Sequence, residues 1–191
     1  MSREVNSSKY GKIQCIGGYH PNGTYCLRIS LPNPVNLVFG RFKKGKEITL
    51  NAGEYLYVGS ALATRGSTTL GNRLRRHTSR SQEYSSHTIQ KELLQFFDAI
   101  GIYYSKTPAS KKLFWNIDHL LNLSVTEIIG IILIRDPKPL ENIWSEYLEH
   151  LPETIVFEKG LGANDSAGHT HIQYSNLSVS QWNNLVLNLP T

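Results

Sequence analysis

The stretch Val125-Thr-Glu-Ile-Ile-Gly-Ile-Ile-Leu-Ile134 leaves the chain few options. It is a nearly unbroken β-branched run, too short for a helix of its own. Such a run reads as a strand buried on both faces, and so as the middle of a sheet with layers on either side. Pro137 and Pro139 stop it. The elements around it must then supply the neighbouring strands and the two covering layers.

Gly23-Thr-Tyr-Cys-Leu-Arg-Ile-Ser-Leu31 alternates as a strand does, and Pro32-Asn-Pro34 closes it. Val35–Phe39 and Lys46–Leu50 flank the Lys43-Lys-Gly45 turn as a hairpin expected on the edge of the same sheet. Asn51-Ala-Gly53 leads into Tyr55-Leu-Tyr-Val-Gly-Ser-Ala61, an aromatic strand broken at Gly59 and Ser60. Thr68 and Thr69 offer a cap for a short helix over Leu70–Thr78. On it Arg73 and His77 lie four residues apart and share a face, while Arg75 and Arg76 point elsewhere.

Further helices are expected over Ile89–Ala99, Leu113–Leu123 and Leu140–Leu151, the last ending before Pro152. Thr154–Phe157 is a candidate strand, and Gly160-Leu-Gly-Ala-Asn-Asp-Ser-Ala-Gly168 a glycine-rich loop. The expected organisation is a loose arm over 1–20 with one short strand at Lys12–Ile16, one domain over 21–175 and a tail over 176–191 that carries a short helix. The fold class is α/β: a small mixed, largely antiparallel central sheet flanked by helices, with an inserted β-hairpin.

Charge is distributed unevenly. The net formal charge is +5, yet the 55–82 segment holds five arginines and no acid, whereas 137–158 holds five glutamates and one lysine. A basic front and an acidic back suit a protein that meets a polyanion with one face. Arg65, Arg75, Arg76 and Arg80 are the expected nucleic-acid contacts. No run approaches the roughly 18 apolar residues that cross a bilayer, and the N-terminus lacks an apolar signal core. Two cysteines make no disulfide framework, so a cytoplasmic setting is expected.

Taken in order, the short motifs resemble the GIY-YIG nucleases. Gly23-Thr-Tyr25 and Tyr57-Val-Gly59 stand on early strands, followed by Arg73-Leu-Arg-Arg-His77, Trp115-Asn-Ile-Asp-His-Leu-Leu121, Glu146-Tyr147, and Gly160-Leu-Gly-Ala-Asn-Asp-Ser166 with Thr170-His-Ile172. The resemblance is closest to an uncharacterised branch of that superfamily, sometimes fused to endonuclease III-type repair proteins, and it spans about residues 23 to 173. Three departures stand out. The two tyrosines are further apart than in compact GIY-YIG nucleases, Asn116 replaces a histidine of the branch, and Tyr147, Ser166 and Gly168 stand where the branch has cysteines.

The resemblance implies a metal-dependent endonuclease acting on DNA, with RNA left open, in repair or strand processing. Tyr25 or Tyr57 would help deprotonate the attacking water, with His77 as relay. Arg73 would pair with the scissile phosphate. A helical glutamate would hold Mg2+ or Mn2+; Glu146 matches by motif, with Glu141 and Glu149 as alternatives. Gly59, Ser60, Trp115, Asp118, Asn164, Asp165 and His171 are further site candidates, although Trp115 and Asp118 read more readily as packing and a buried hydrogen bond than as chemistry. A separate metal cluster of Asp118, His119, His169 and His171 is conceivable from His-x-His alone. Two other functions stay open: a nucleic-acid-binding module that has lost turnover, and a domain that binds a protein partner. No membrane partner is expected.

Overall fold

A computed structural model describes residues 5–81, 84–107, 111–163 and 168–191. In chain order its elements are β1 (Asn6–Ser7), β2 (Ile13–Gly17), β3 (Gly23–Leu31), β4 (Val35–Val38), β5 (Glu47–Leu50), β6 (Gly53–Ala61), α1 (Leu70–His77), α2 (Gln90–Ile100), α3 (Asn116–Leu121), β7 (Glu127–Arg135), α4 (Glu141–Glu149), β8 (Thr154–Ile155), β9 (Ile172–Ser175) and α5 (Val179–Asn188). Seven strands form one sheet in the order β1-β2-β7-β3-β6-β9-β8, and only the β2–β7 pair is parallel. The architecture is a mixed α/β fold with a largely antiparallel central sheet flanked by helices.

Alternation along the strands builds a core on each face. Tyr25, Leu27, Ile29 and Leu31 of β3 join Tyr55 and Tyr57 of β6 and Ile131 and Leu133 of β7 on the first face. α1, α2, α3 and the hairpin cover that face through Leu70, Leu74, Phe97, Leu120 and Leu50. The second face carries Cys26, Leu56, Val58 and Ile132, beneath Trp144 and Leu148 of α4 and Trp182, Leu185 and Val186 of α5. Both cysteines are buried free thiols. Cys15 belongs to the first core and Cys26 to the second, so the sheet itself separates them.

Three expectations need correcting. The hairpin does not extend the main sheet: β4 and β5 form a two-stranded sheet of their own. β3 already has β7 and β6 on its flanks, and β6 has β9 on its free side, so no backbone edge remains beside them. The hairpin instead folds over the first face and buries Phe39, Ile48 and Leu50 there.

The 1–20 segment is no loose arm over its described part. β2 pairs with β7 from Ile13↔Ile131 to Gly17↔Arg135 and buries Ile13, Cys15 and Ile16. The 176–191 segment likewise belongs to the domain, because α5 closes the second core. It starts at a capping box in which Ser178 and Gln181 satisfy each other's backbone N–H groups.

Ile13 is fully buried, so Ile13→Ala should cost about 2–5 kcal/mol. Urea denaturation checks this; a loose arm would show no change.

Candidate active site

The site forms where the start of β3 meets the end of β6. Antiparallel pairing sets Tyr25 opposite Gly59. The Tyr25 ring crosses the space a side chain at 59 would fill: an added Cβ would lie 2.5 Å from the Tyr25 hydroxyl. This is a packing requirement, and it explains the glycine. Beyond it the Tyr25 hydroxyl meets His77 Nε2 at 2.8 Å. Tyr57 packs edge-on to both rings, with centroids 6.2 Å from Tyr25 and 5.8 Å from His77.

α1 lies across these strands with Leu70 and Leu74 in the core. Arg73 and His77 share a face as their spacing requires, but at different depths. His77 is fully buried, whereas Arg73 is half-buried with its guanidinium 4.8 Å from the Trp115 ring centroid. Thr69 occupies the cap position without a side-chain capping bond.

Asp118, fully buried on α3, ties the site to the next layer. It accepts hydrogen bonds from the backbone N–H groups of Phe114 (2.9 Å) and Trp115 (2.8 Å) and a forked pair from Arg76 (3.0 and 2.6 Å). Its other close neighbour is His77 Nδ1 at 3.7 Å, too long for a hydrogen bond but close enough for charge to matter. Burial works against the carboxylate, yet His77 and Arg76 outweigh it and hold Asp118 well below the usual carboxylate range.

The third wall is the start of α4. Glu141 accepts a short hydrogen bond from the Ser60 hydroxyl, and its other oxygen lies 3.1 Å from His171 Nδ1. His171 Nε2 is 3.2 Å from Asn142 Oδ1. Burial disfavours the Glu141 carboxylate, but His171, Ser60 and Arg73 together keep its pKa lowered. Tyr57, Ser60, Arg73, Trp115, Glu141 and Gly162 line one cavity of about 350 Å3.

Burial drives the other shifts. Tyr25 and Tyr57 are both pushed well above the ordinary phenol value; Glu141 adds to the rise, and Arg73 pulls both back. His77 is pushed down to about 4 despite the opposing Asp118 charge, so it is neutral at pH 7. A neutral imidazole with Nε2 as acceptor is the tautomer that lets the Tyr25 hydroxyl donate to it.

Several expected roles fall elsewhere. Glu146 is exposed and outside the cavity. Five helical residues turn it about 140° away from Glu141, so Glu141 is the α4 carboxylate at the site. Glu149 accepts the backbone N–H of Thr170 and holds that loop. Arg80 is buried and donates to the carbonyls of Leu123, Ser85 and Thr126 and to Glu127, which removes it from any nucleic-acid surface.

Arg76 is committed to Asp118 and the Lys112 carbonyl. Arg75 is part-exposed and donates to the Thr107 carbonyl, and Arg65 is exposed on the loop that carries Leu62, Ala63 and Thr68 to the cavity. Asp118 and His171 sit against different partners, and the conceivable cluster of Asp118, His119, His169 and His171 is not assembled. Among the described residues no group of three or more His, Cys, Asp or Glu side chains could hold a metal. Asn164 and Asp165 lie outside the described residues.

Two features had weak sequence signals. β9, which carries His171 to Glu141 by running beside Tyr57, is four residues long. Gly162 has a positive φ of 87° and turns its loop tightly against His171 and Ile172. The Gly-x-Gly spacing was its only mark.

The unfolded imidazole titrates near 6.5. Between that value and the folded value of about 4, the unfolded chain binds a proton that buried His77 refuses. Stability is therefore full above about pH 6.5 and falls as pH drops through this window. His87, also pushed down to about 4, first by burial and then by Arg80, acts in the same direction. His77→Gln should remove its share of the loss between pH 7 and pH 5, on the order of 2 kcal/mol, and leave that of His87. Urea titrations at the two pH values measure it.

The model of the family described as Domain of unknown function DUF123 matches residues 24–188, and the chain belongs to that family. No curated protein and no solved structure matches the chain.

Proposed function

We propose that this member of the DUF123 family is a divalent-cation-dependent phosphodiesterase acting on DNA, in repair or strand processing. One observation carries the reading. A phenol, a guanidinium and a carboxylate, from Tyr57, Arg73 and Glu141, line a single cavity, with the Tyr25–His77 pair directly behind. The order of motifs that resembles the GIY-YIG nucleases supports the same reading.

Arg73, at the cavity wall, is placed to bind a phosphate and to take up the negative charge that grows on it during attack. The Trp115 ring beneath it fixes the guanidinium plane. Tyr57 borders the cavity and orients the attacking water through its hydroxyl. The Tyr25 hydroxyl, held on neutral His77, steadies the ring packing around Tyr57 and gives a route for a proton toward Nε2.

The donor set at Glu141 fits a hard cation. One carboxylate beside the Ser60 hydroxyl is what Mg2+ takes together with water and substrate oxygens, and Mn2+ accepts the same ligands. Glu141 would hold the ion, which when bound supplies neutralisation of the leaving oxygen. Exposed Arg65, on the loop that reaches the cavity, adds positive charge beside it for a nucleic-acid backbone. Two buried unpaired thiols suit a reducing cytoplasm.

A non-catalytic nucleic-acid-binding module is the second reading. It is favoured by Glu141 being already held by Ser60 and His171, and by phenols that burial keeps protonated.

Labelled single-stranded, duplex and branched DNA incubated with Mg2+ or Mn2+ separates the two. Arg73→Ala and Glu141→Gln should each lower the cleavage rate by about 10²–10³, while Glu146→Gln leaves it unchanged. Binding without cleavage, salt-sensitive and weakened by Arg73→Ala, establishes the module instead. Neither cleavage nor binding defeats both readings.

A further inference from the structure

A second cavity, of about 660 Å3, opens on the opposite face of the sheet, between the strands, the N-terminal segment and α5. Its floor is polar by strand alternation. Gln14, Arg28 and Glu54 point to this face because their neighbours Ile13, Cys15, Leu27, Ile29 and Tyr55 point to the other.

A β-bulge sits beside them. β7 runs two residues, from Ile128 to Gly130, against the single step from Ile29 to Arg28, and the extra residue, Ile129, lines the cavity. The missing side chain at Gly130 admits the Trp182 indole, since an added Cβ would meet it at 2.8 Å. The remaining walls include Val5, Tyr10 and Val186.

The floor contains an unspent recognition group. Gln14 is 6% exposed, and among the described residues its carboxamide forms no hydrogen bond, although it has two donors and an acceptor to satisfy. The carboxamide faces the open cavity, where solvent meets it until a ligand with matching groups takes the water's place. Arg28, in contrast, is committed to Glu54 and to the Leu177 carbonyl at 2.8 Å, with Trp182 5.7 Å away. Arg28 and Glu54 cancel in charge, so the floor is polar but close to neutral. Exposed Lys12 adds a positive charge at the lining.

We infer that this cavity binds the base of a nucleoside or nucleotide. A flat heteroaromatic ring presents a donor and an acceptor side by side on one edge, which a glutamine carboxamide meets with two bonds at once. Glu54 offers a further acceptor, and the apolar walls suit the ring faces. The volume lies within the usual range of about 300–1,000 Å3 for small-molecule sites. A peptide strand fits less well, because it is read by backbone groups at a sheet edge, and this floor is made of side chains on a sheet face. Lys12 matches a phosphate directed outward. The site is distinct from the Tyr57 cavity and does not depend on the activity proposed there.

Calorimetric titration of the full chain tests it, using adenosine, guanosine, cytidine and uridine, their 5′-monophosphates, and a short single-stranded oligonucleotide. At least one nucleoside should bind saturably and its monophosphate more tightly, with Lys12→Ala removing that difference. Gln14→Met keeps the side-chain volume and breaks no hydrogen bond among the described residues, so the variant should fold with close to wild-type stability. It should weaken nucleoside binding about tenfold or more, and Arg73→Ala should leave that binding unchanged. An oligonucleotide that binds through its bases here must also weaken with Gln14→Met. Absence of nucleoside binding, or equal binding by Gln14→Met, overturns the inference and makes the cavity a solvent-filled gap. Oligonucleotide binding that only Arg73→Ala disturbs assigns the bases to the other face and overturns it as well.

Discussion

The pairing of β3 with β6 fixes almost everything else. It runs without a break from Gly23↔Ala61 to Leu31↔Gly53. Because side chains alternate, a slip of one residue would turn Tyr25 and Tyr57 out of the first core and send Arg28 and Glu54 into it. The apolar sets on both faces therefore hold the register against exchange. Tyr25 then lies opposite Gly59, where its ring passes over a residue without a side chain to reach His77. The same register puts Ser60, one residue later and on the other face, next to Glu141. One cavity opens at the end of β6, between Tyr57 of one face and Ser60 of the other, and the second lies on the far face, lined by Glu54 near the start of the strand.

Buried charge is the second organising element, and it divides the labour among the arginines. Arg76 closes on Asp118, and Arg80 closes on three carbonyls and Glu127. In both pins one member is buried, Asp118 and Arg80 respectively, and the other is part-exposed, so it is loss of the partner that strands the buried charge in low dielectric. Through them α1 is clamped to α3 and to the start of β7. Arg73 lies on the same helix but faces the cavity instead, resting on Trp115. The arginine-rich stretch that reads as one basic surface is in fact part scaffold and part site.

Local pattern made the framework legible. The period-two runs at 23–31 and 55–61, the β-branched run at 125–134 and the i, i+4 spacing of Arg73 and His77 each depend on near neighbours in sequence, and each reappears in place. Long-range choices were not legible. The parallel pairing of β2 with β7 joins segments more than a hundred residues apart, and nothing in five residues of β2 announces its partner. The hairpin lost its place on the sheet edge because β7 and β9 took it. Glu141 and Glu146 lie on the same helix, and motif similarity favoured the second. The packing of Trp144 and Leu148 under the sheet, together with the β9 strand that brings in His171, turns the first inward. The arginines carried equal charge in the sequence; only burial separates Arg80 from Arg73.

The two tyrosines share a burial that opposes ionisation, so neither phenol acts alone as a base. What differs is the sign of their charged neighbours. Arg73 pulls both phenols down and Glu141 pushes both up. With the carboxylate charged and the guanidinium present these two effects oppose each other, and burial, the largest cause, keeps the phenols protonated. Neutralising Glu141 removes the unfavourable charge and leaves Arg73 acting without opposition, in a region where low dielectric magnifies each charge. A phosphate on Arg73 has the opposite effect, since it spends the one cation that favours the phenolate. In the proposed reaction, a cation held by Glu141 would offset that loss. Tyr57, which lines the cavity, is the phenol exposed to that balance. Tyr25 feels the same two charges, but its hydroxyl is already held by His77.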